Sequence, residues 1–285
     1  MQVLSTFEDL KRASARLRRA TGLGGVLVPT MGALHAGHES LIRHGTELAA
    51  RAGDACTVSI FVNPTQFNQA SDFERYPRTL EADLAVCERA GASIVFAPTK
   101  ETVYPTHEPI PVPALPAAAT RPGLEDRFRP GHFAGVCQVV MRLFRLLEPR
   151  AAVFGEKDWQ QLQVVRAMTQ EAGLTITVVP HPTLRDPDGL ALSSRNRFLS
   201  AQERAAALAI PRALRAASVS PTAAAADRVM RQTLADAELR VEYAVVRDAA
   251  TLEEPMLGRP GRGLIAAWAG NTRLIDNAPW PLDAG

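Results

Sequence analysis

Short apolar runs alternate with amphipathic stretches along the first two-thirds of the chain. Val26-Leu27-Val28, the run from Cys56 to Val62, Ser93-Ile94-Val95-Phe96, Ala151-Ala152-Val153-Phe154 and the segment from Thr175 to Val179 each read as a strand. Their apolar character is continuous, not alternating, which predicts strands buried on both faces of a parallel sheet. Helical periodicity falls between them, at residues 36–52, 79–90, 135–147 and 158–172. Another helix precedes the first of these strands, at residues 5–20, opened by the S-x-x-E capping box Ser5-Thr6-Phe7-Glu8. The alternation predicts an α/β fold, a Rossmann-like doubly wound parallel sheet.

Two regions depart from this rhythm. Residues 105–130 are rich in Pro and Ala and predict a long irregular excursion outside the core. After Arg195 the texture changes. A second capping box, Ser200-Ala201-Gln202-Glu203, opens an Ala-rich helical region to residue 217, and a further helix is expected at 222–236. Residues 241–247 and 263–275 read as strands, so a smaller α+β domain is expected at 189–285, behind a larger one at 1–188.

Composition narrows the class without naming a function. The chain has 285 residues, 46% hydrophobic and 22% charged, as expected for a soluble globular protein. A formal net charge of +2 advertises neither a nucleic-acid nor a membrane surface. Cys56, Cys87 and Cys137 are odd in number and lack a Cys-x-x-Cys spacing, which points away from disulfides and thiolate zinc and toward a reducing cytosol. No apolar run is long enough to span a membrane as a helix. The Arg-rich N-terminus is interrupted by Glu8 and Asp9, unlike an organelle transit peptide. Gly22 and Gly24 precede a strand instead of following one, so they do not form a dinucleotide fingerprint.

The chemistry gathers where strands end. Pro29-Thr30-Met31-Gly32-Ala33-Leu34-His35-Ala36-Gly37-His38 runs from a strand through a Gly-containing turn into a helix. Such a junction is expected to aim free backbone N–H groups and the positive helix end at an anion. On a helix His35 and His38 would lie about 60° apart around the axis, with both imidazoles on one face. They could donate to phosphate oxygens and stabilise charge on a leaving pyrophosphate. Metal binding by the pair lacks a third ligand nearby.

Gly155-Glu156-Lys157-Asp158 lies at another strand-to-helix junction, with Gln161 one turn on. Lys157 can neutralise phosphate, and Asp158 can accept from a ribose hydroxyl or support Mg²⁺. Ser193, Ser194 and Arg195 offer two hydroxyls and a guanidinium in a loop flanked by Asp188 and Gly189, suited to closing over phosphates. Asn63 and Gln66 follow a third strand, where buried amides suit a small hydroxylated substrate.

Together these segments resemble the pantothenate synthetase (pantoate–β-alanine ligase) family of the nucleotidyltransferase superfamily marked by His-x-Gly-His. The matching stretches, in the family's order, are PTMGALHAGH, FVNPTQF, ERYPRT, RPGHFAGV, FGEKDWQQL and DGLALSSRNRFLS. The resemblance implies an AMP-forming ligase that makes a C–N bond. Pantoate is adenylated by ATP, and the pantoyl adenylate is captured by β-alanine to give pantothenate, the coenzyme A precursor.

Carried over by motif position, Met31, Gly32, Ala33, Leu34, His35, Ala36, Gly37 and His38 would contact ATP, with His38 the proton donor. Gly155, Glu156, Lys157, Asp158, Leu184, Leu192, Ser193, Ser194 and Arg195 would complete that site. His35, Lys157 and Arg195 would share the catalytic work. Gln66 and Gln161 would hold pantoate, Gln66 also lying near β-alanine. His132 and Tyr76 fall in family motifs without an assigned step. The resemblance further implies Mg²⁺ with ATP but no dedicated protein metal site, a cytoplasmic homodimer, and no nucleic-acid or membrane partner.

Three positions depart from the family pattern: Leu192 for Met, Trp159 for Tyr and Arg142 for Lys. A nucleotidyltransferase of the same superfamily acting on another acceptor would need no amine site and would usually carry a different Ser/Thr-rich motif in place of Ser193-Ser194-Arg195-Asn196, and a nucleotide-binding module would bind ATP without turning it over.

Overall fold

The computed structural model describes residues 1–17, 24–68 and 70–281. Six strands form one parallel sheet: β1 (Gln2–Leu4), β2 (Val26–Thr30), β3 (Cys56–Ile60), β4 (Ile94–Phe96), β5 (Ala151–Gly155) and β6 (Thr177–His181), in the order β1-β4-β3-β2-β5-β6. Alternate side chains feed two cores, as the two-residue period of a strand requires. Val26, Val28, Val58, Val95 and Val153 pack with Ile42 and Ala49 on one face. Leu27, Ile94, Phe96, Ala152 and Phe154 pack with Phe144, Leu147 and Leu162 on the other. The fold is the expected doubly wound α/β sheet.

The strand order fixes where a ligand can sit. From β2 the chain continues to β3 on one side, whereas β5 flanks β2 on the other. At that reversal the loops leaving β2 and β5 part in opposite directions and open a crevice at the carboxyl ends of the strands. Helices Ala36–Arg51 and Trp159–Glu171 begin there.

Several expectations need correction. Gln2–Leu4 pairs with Ile94–Phe96 as an edge strand, which three mostly exposed residues do not announce. The helix expected at 5–20 is observed as Phe7–Leu17, and residues 18–20 lie outside the described residues, as do 21–23 of the break that follows. The Pro-rich excursion does contribute to the core: Ala118, Ala119 and Leu124 are buried within it. Arg142 explains part of its anchoring, forming a bidentate pair with Glu108 at 2.9 and 3.0 Å and lying over the Phe7 ring. The Ala-rich region is two helices, Ala201–Ala207 and Ala209–Ala217. Pro211 lies just past the break and has no N–H to continue the ladder.

Residues 263–275 are not one strand but the core of a hairpin. β7 (Arg240–Asp248), β8 (Gly261–Ala269) and β9 (Thr272–Trp280) form an antiparallel sheet. The turn between β8 and β9 falls at Gly270, whose φ of 55° is left-handed. Both faces of this sheet are covered. Ala244, Val246, Ile265 and Ala267 pack under helices Ala209–Ala217 and Ala223–Ala235. Tyr243, Val245, Leu264 and Ala266 join the core of the first sheet's outer helices.

Helix His132–Leu147 crosses the 3₁₀ turn Pro64–Gln66 at Gly135, where a Cβ would collide with the Thr65 carbonyl. Only glycine permits this approach. Gly135→Ala is therefore expected to cost ~1–3 kcal/mol by overpacking, seen as a lowered thermal unfolding midpoint. An unchanged midpoint would show that the two backbones are not in contact.

Candidate active site

After β2 the chain makes a tight turn held from a distant helix. The buried carboxylate of Asp83 accepts from the N–H groups of Ala33 and Leu34, at 3.0 and 2.7 Å. Gly32, at φ 78°, leaves room for that carboxylate, which a Cβ would meet at 2.9 Å. Ala33 is left-handed as well, at φ 51°, a strained conformation for a residue with a Cβ.

His35 is not on the helix but caps it. Its Nδ1 accepts from Gly37 N at 3.1 Å, and its own N–H donates to His38 Nδ1 at 3.3 Å. The expectation of free N–H groups aimed at phosphate is thus corrected: Asp83 and the two imidazoles consume several of them. Because each Nδ1 accepts, each ring carries its proton on Nε2. Both histidines line the cleft, their ring centroids 4.1 Å apart and their planes tilted by 49°. Burial, then the Lys157 charge, lowers His35 to about 4. Burial, then His35 and Lys157, lowers His38 to about 3. At neutral pH the pair is two uncharged hydrogen-bond donors.

The cleft has a volume of about 250 Å³. On one side Gln66 is held by Asn63, whose Nδ2 donates to Gln66 Oε1 at 3.2 Å and to Gly135 O at 3.0 Å. The Tyr104 hydroxyl donates to Asn63 Oδ1 at 2.9 Å, which fixes the amide's orientation. Gln66 Nε2 lies 3.1 Å from Met31 Sδ. His132, at the start of its helix, hydrogen-bonds Gln66 O through Nδ1 at 2.8 Å, and burial followed by the Arg129 charge lowers it to about 4. Tyr76 also lines the cleft, where burial raises its hydroxyl pKa against the opposing influence of Arg195 and Ser194.

The facing wall comes from the end of β5. Gly155, Lys157, Asp158 and Gln161 line the cleft. The neighbouring glutamines divide by helix face: Gln160 is buried and bonds Glu125 N and Ala118 O, whereas the Gln161 side chain makes no hydrogen bond among the described residues. Glu156 points away, paired with Arg262 at 3.2 Å. Arg262 in turn lies 3.7 Å over the Trp159 ring, whose N–H donates to Ala249 O. Asn277 of β9 donates to the carbonyls of both Glu156 and Lys157, at 2.9 Å each.

The third wall is the loop after β6. Leu184, Leu192, Ser193, Ser194 and Arg195 line the cleft with His181, Pro182 and Thr183. Leu192 N donates to Leu184 O at 2.9 Å, closing the loop's neck. Arg185 pairs with Asp276 at 2.6 Å, and Arg204 with Asp186 and Asp188. Neither Lys157 Nζ nor the Arg195 guanidinium has an ion pair or side-chain hydrogen bond among the described residues.

The structure thus brings together His35, His38, Gln66, Lys157, Asp158, Gln161 and Ser193–Arg195. Gly32, Ala33, Leu34, Ala36 and Glu156 support the walls without lining the cleft. Sequence reasoning missed Asp83, inside an ordinary-looking helix, and Arg129, which lines the cleft from within the RPGHFAGV stretch. Only the position of Arg129 in that motif could have singled it out.

Comparison with known proteins finds relatives along the whole chain. The family model for pantoate–β-alanine ligase matches residues 2–279. The pantothenate synthetase of Thiobacillus denitrificans is 48% identical, with 100% of this chain and 99% of that protein covered. The crystal structure of pantothenate synthetase from Thermus thermophilus superposes with a TM-score of 0.86 at 40% identity, covering 98% of this chain and 99% of that one. That of pantoate–β-alanine ligase from Francisella tularensis, complexed with beta-gamma ATP and β-alanine, gives 0.78 at 30% identity, covering 98% and 97%.

The lowered histidines carry a pH signature. His35, His38 and His132 stay neutral when folded, down to about 4, 3 and 4, but titrate near 6.5 when unfolded. Their contribution is complete above pH 6.5 and is lost as pH falls from there toward the folded values. The unfolding free energy from urea titration should fall between pH 7 and 5, by roughly 2 kcal/mol for each imidazole that the fold keeps neutral. A flat profile would mean that these rings protonate freely in the folded protein.

Proposed function

The chain belongs to the pantoate–β-alanine ligase family, and we propose that its cleft joins pantoate to β-alanine in two ATP-driven steps. A pantoate carboxylate oxygen attacks the α-phosphorus of ATP. The bond from that phosphorus to the bridging oxygen breaks, and pyrophosphate leaves with the electron pair. The free amine of β-alanine then attacks the acyl carbon of pantoyl adenylate. The acyl C–O bond breaks, AMP departs, and the amine nitrogen loses a proton to give the amide of pantothenate.

The observation that carries this reading is the pairing of unspent donors across the cleft. Lys157 and Arg195 are cations without ion-pair partners among the described residues, and they line the same cleft as two neutral Nε2–H imidazoles. A carboxylate is already a nucleophile at neutral pH, so adenylation needs alignment and charge stabilisation more than a base. His38 is the proton donor in the sense its environment supports: its Nε2–H hydrogen-bonds the leaving phosphate, whose charge would raise the low pKa of the ring. His35, Lys157 and Arg195 stabilise the same charge, with Ser193, Ser194, Leu184, Leu192 and Asp158 placing the nucleotide.

Gln66 and Gln161 offer amides at the two walls for pantoate's hydroxyls and carboxylate, Gln66 also lying beside β-alanine. Mg²⁺ fits the donor set as a companion of the triphosphate. Among the described residues no three His, Cys, Asp or Glu cluster as ligands, and Asp158 is an exposed carboxylate at the cleft wall. Mg²⁺ commonly keeps its waters and takes one or two carboxylates plus phosphate oxygens. Asp158 would hold it, and it would neutralise phosphate charge. We read residues 1–188 as the unit carrying this cleft and 189–285 as the unit closing over it. The family likeness also supports a cytoplasmic homodimer acting on small molecules, not on nucleic acid or at a membrane.

Pantoate-dependent exchange of labelled pyrophosphate into ATP tests the reading. Folded protein that supports no exchange would refute it. His38→Ala should lose most of the adenylation rate, about 100-fold or more by the measure of a lost transition-state donor, with ATP affinity weakened only modestly. A wild-type kcat would remove His38 from the mechanism. For Gln161→Ala the expected change is a raised KM for pantoate with ATP binding largely retained, and unaltered pantoate kinetics would count against its assignment.

A further inference from the structure

Arg129 is the remaining cation of the cleft, and its surroundings differ from those of Lys157 and Arg195. It lies between the short helix Glu125–Phe128 and the helix beginning at His132. Its side chain is 23% exposed. Among the described residues it makes one side-chain hydrogen bond, from Nη1 to Glu125 Oε2 at 3.4 Å. A guanidinium has five N–H donors in a planar fork, so most of its capacity is unspent.

Glu125 is already occupied. Arg273 donates to both its oxygens, at 2.6 and 2.9 Å, and the Tyr243 hydroxyl donates to Oε1 at 2.7 Å. Burial alone would raise its pKa, but Arg273, with Arg129 and Tyr243, takes it down to about 2. Arg273 also pairs with Glu242 at 2.7 Å, so the four charges balance while their contacts do not. Arg273 is saturated, and Arg129, with most of its donors unspent, lines the cleft.

Its neighbours there include Gln66, which the ligase reading sets beside β-alanine. His132 N donates to Arg129 O at 3.0 Å, and the same histidine bonds the carbonyl of Gln66. β-Alanine carries a carboxylate two methylenes from its amine, and that carboxylate stays ionised throughout the reaction. Gln66 is neutral and cannot balance it. Lys157 acts on the two histidines, whereas the charges of Arg195 and Asp158 lie close enough to act on Arg129. We propose that Arg129 binds the carboxylate of the amine substrate, selecting an ω-amino acid over a simple amine and leaving the amine end directed at the acyl adenylate. Glu125 is a positioning residue that acts through Arg129.

The inference rests on the ligase reading, and the test separates the two. With pantoate and ATP, Arg129→Met should still support pyrophosphate exchange at a rate within a few-fold of the unaltered protein, while KM for β-alanine rises about thirtyfold or more, the usual effect of losing a charge-paired contact. The unaltered protein should use n-propylamine, which lacks the carboxylate, far less well than β-alanine. In Arg129→Met that preference should collapse, a change that a merely structural role would not produce. Arg129→Lys, which keeps the charge but not the fork, should recover part of it.

Equal losses with β-alanine and propylamine would overturn the proposal, as would a raised KM for ATP in the exchange assay, which would place Arg129 on the phosphates. Absence of exchange in the unaltered protein would instead refute the ligase reading itself.

Discussion

The carboxylate of Asp83 holds the turn on which the rest of the cleft depends. It reaches from the helix Leu80–Arg89 to two consecutive N–H groups, those of Ala33 and Leu34, and also accepts from the Thr79 hydroxyl at 3.2 Å. An unpaired buried N–H costs about 1–3 kcal/mol, so this one side chain sets the path of the chain out of β2. It requires glycine at position 32, where a Cβ would crowd it, and tolerates the left-handed Ala33. From that path follows the start of the next helix at Ala36, with His35 as its cap.

The capping then determines the chemistry. Each imidazole accepts a backbone N–H through Nδ1, so neither tautomer nor ring orientation is free. Anion recognition passes from the backbone to two neutral Nε2–H donors and to the cations across the cleft. A helix N-terminus alone would bind any anion. Two oriented imidazoles beside Lys157 fix instead where the donors for an anion stand.

The C-terminal sheet belongs to this arrangement and is not an appendage. Asn277 of β9 holds the carbonyls of Glu156 and Lys157, Arg262 of β8 clamps Glu156 against Trp159, and Arg273 fixes Glu125 beside Arg129. Buried ion pairs of this kind contribute little net stability, because desolvation offsets their attraction, but losing one partner strands a buried charge. Their effect here is orientation: the second sheet decides where the wall after β5 and the guanidinium of Arg129 stand.

Five of the six strands of the parallel sheet, and the chemistry at its edge, are legible in local sequence. Continuous apolar strands, helical periodicity and local caps such as Ser200 with Glu203 depend on residues close in the chain, and so do His35 and His38, three residues apart. What tertiary structure decided depends on distant partners. Gln2–Leu4 is a strand only because Ile94–Phe96 pairs with it, and Leu124 is core only because the Pro-rich segment folds back under other elements. Asp83 acts 50 residues from the turn it holds, and Arg129 is positioned by a glutamate whose main partner, Arg273, lies 148 residues further on. A helix that places Gln160 in the core and Gln161 in the cleft cannot be told apart by residue type. Local pattern shows which residues could do chemistry, but the satisfaction of buried polar groups by remote partners decides which of them are left free to do it.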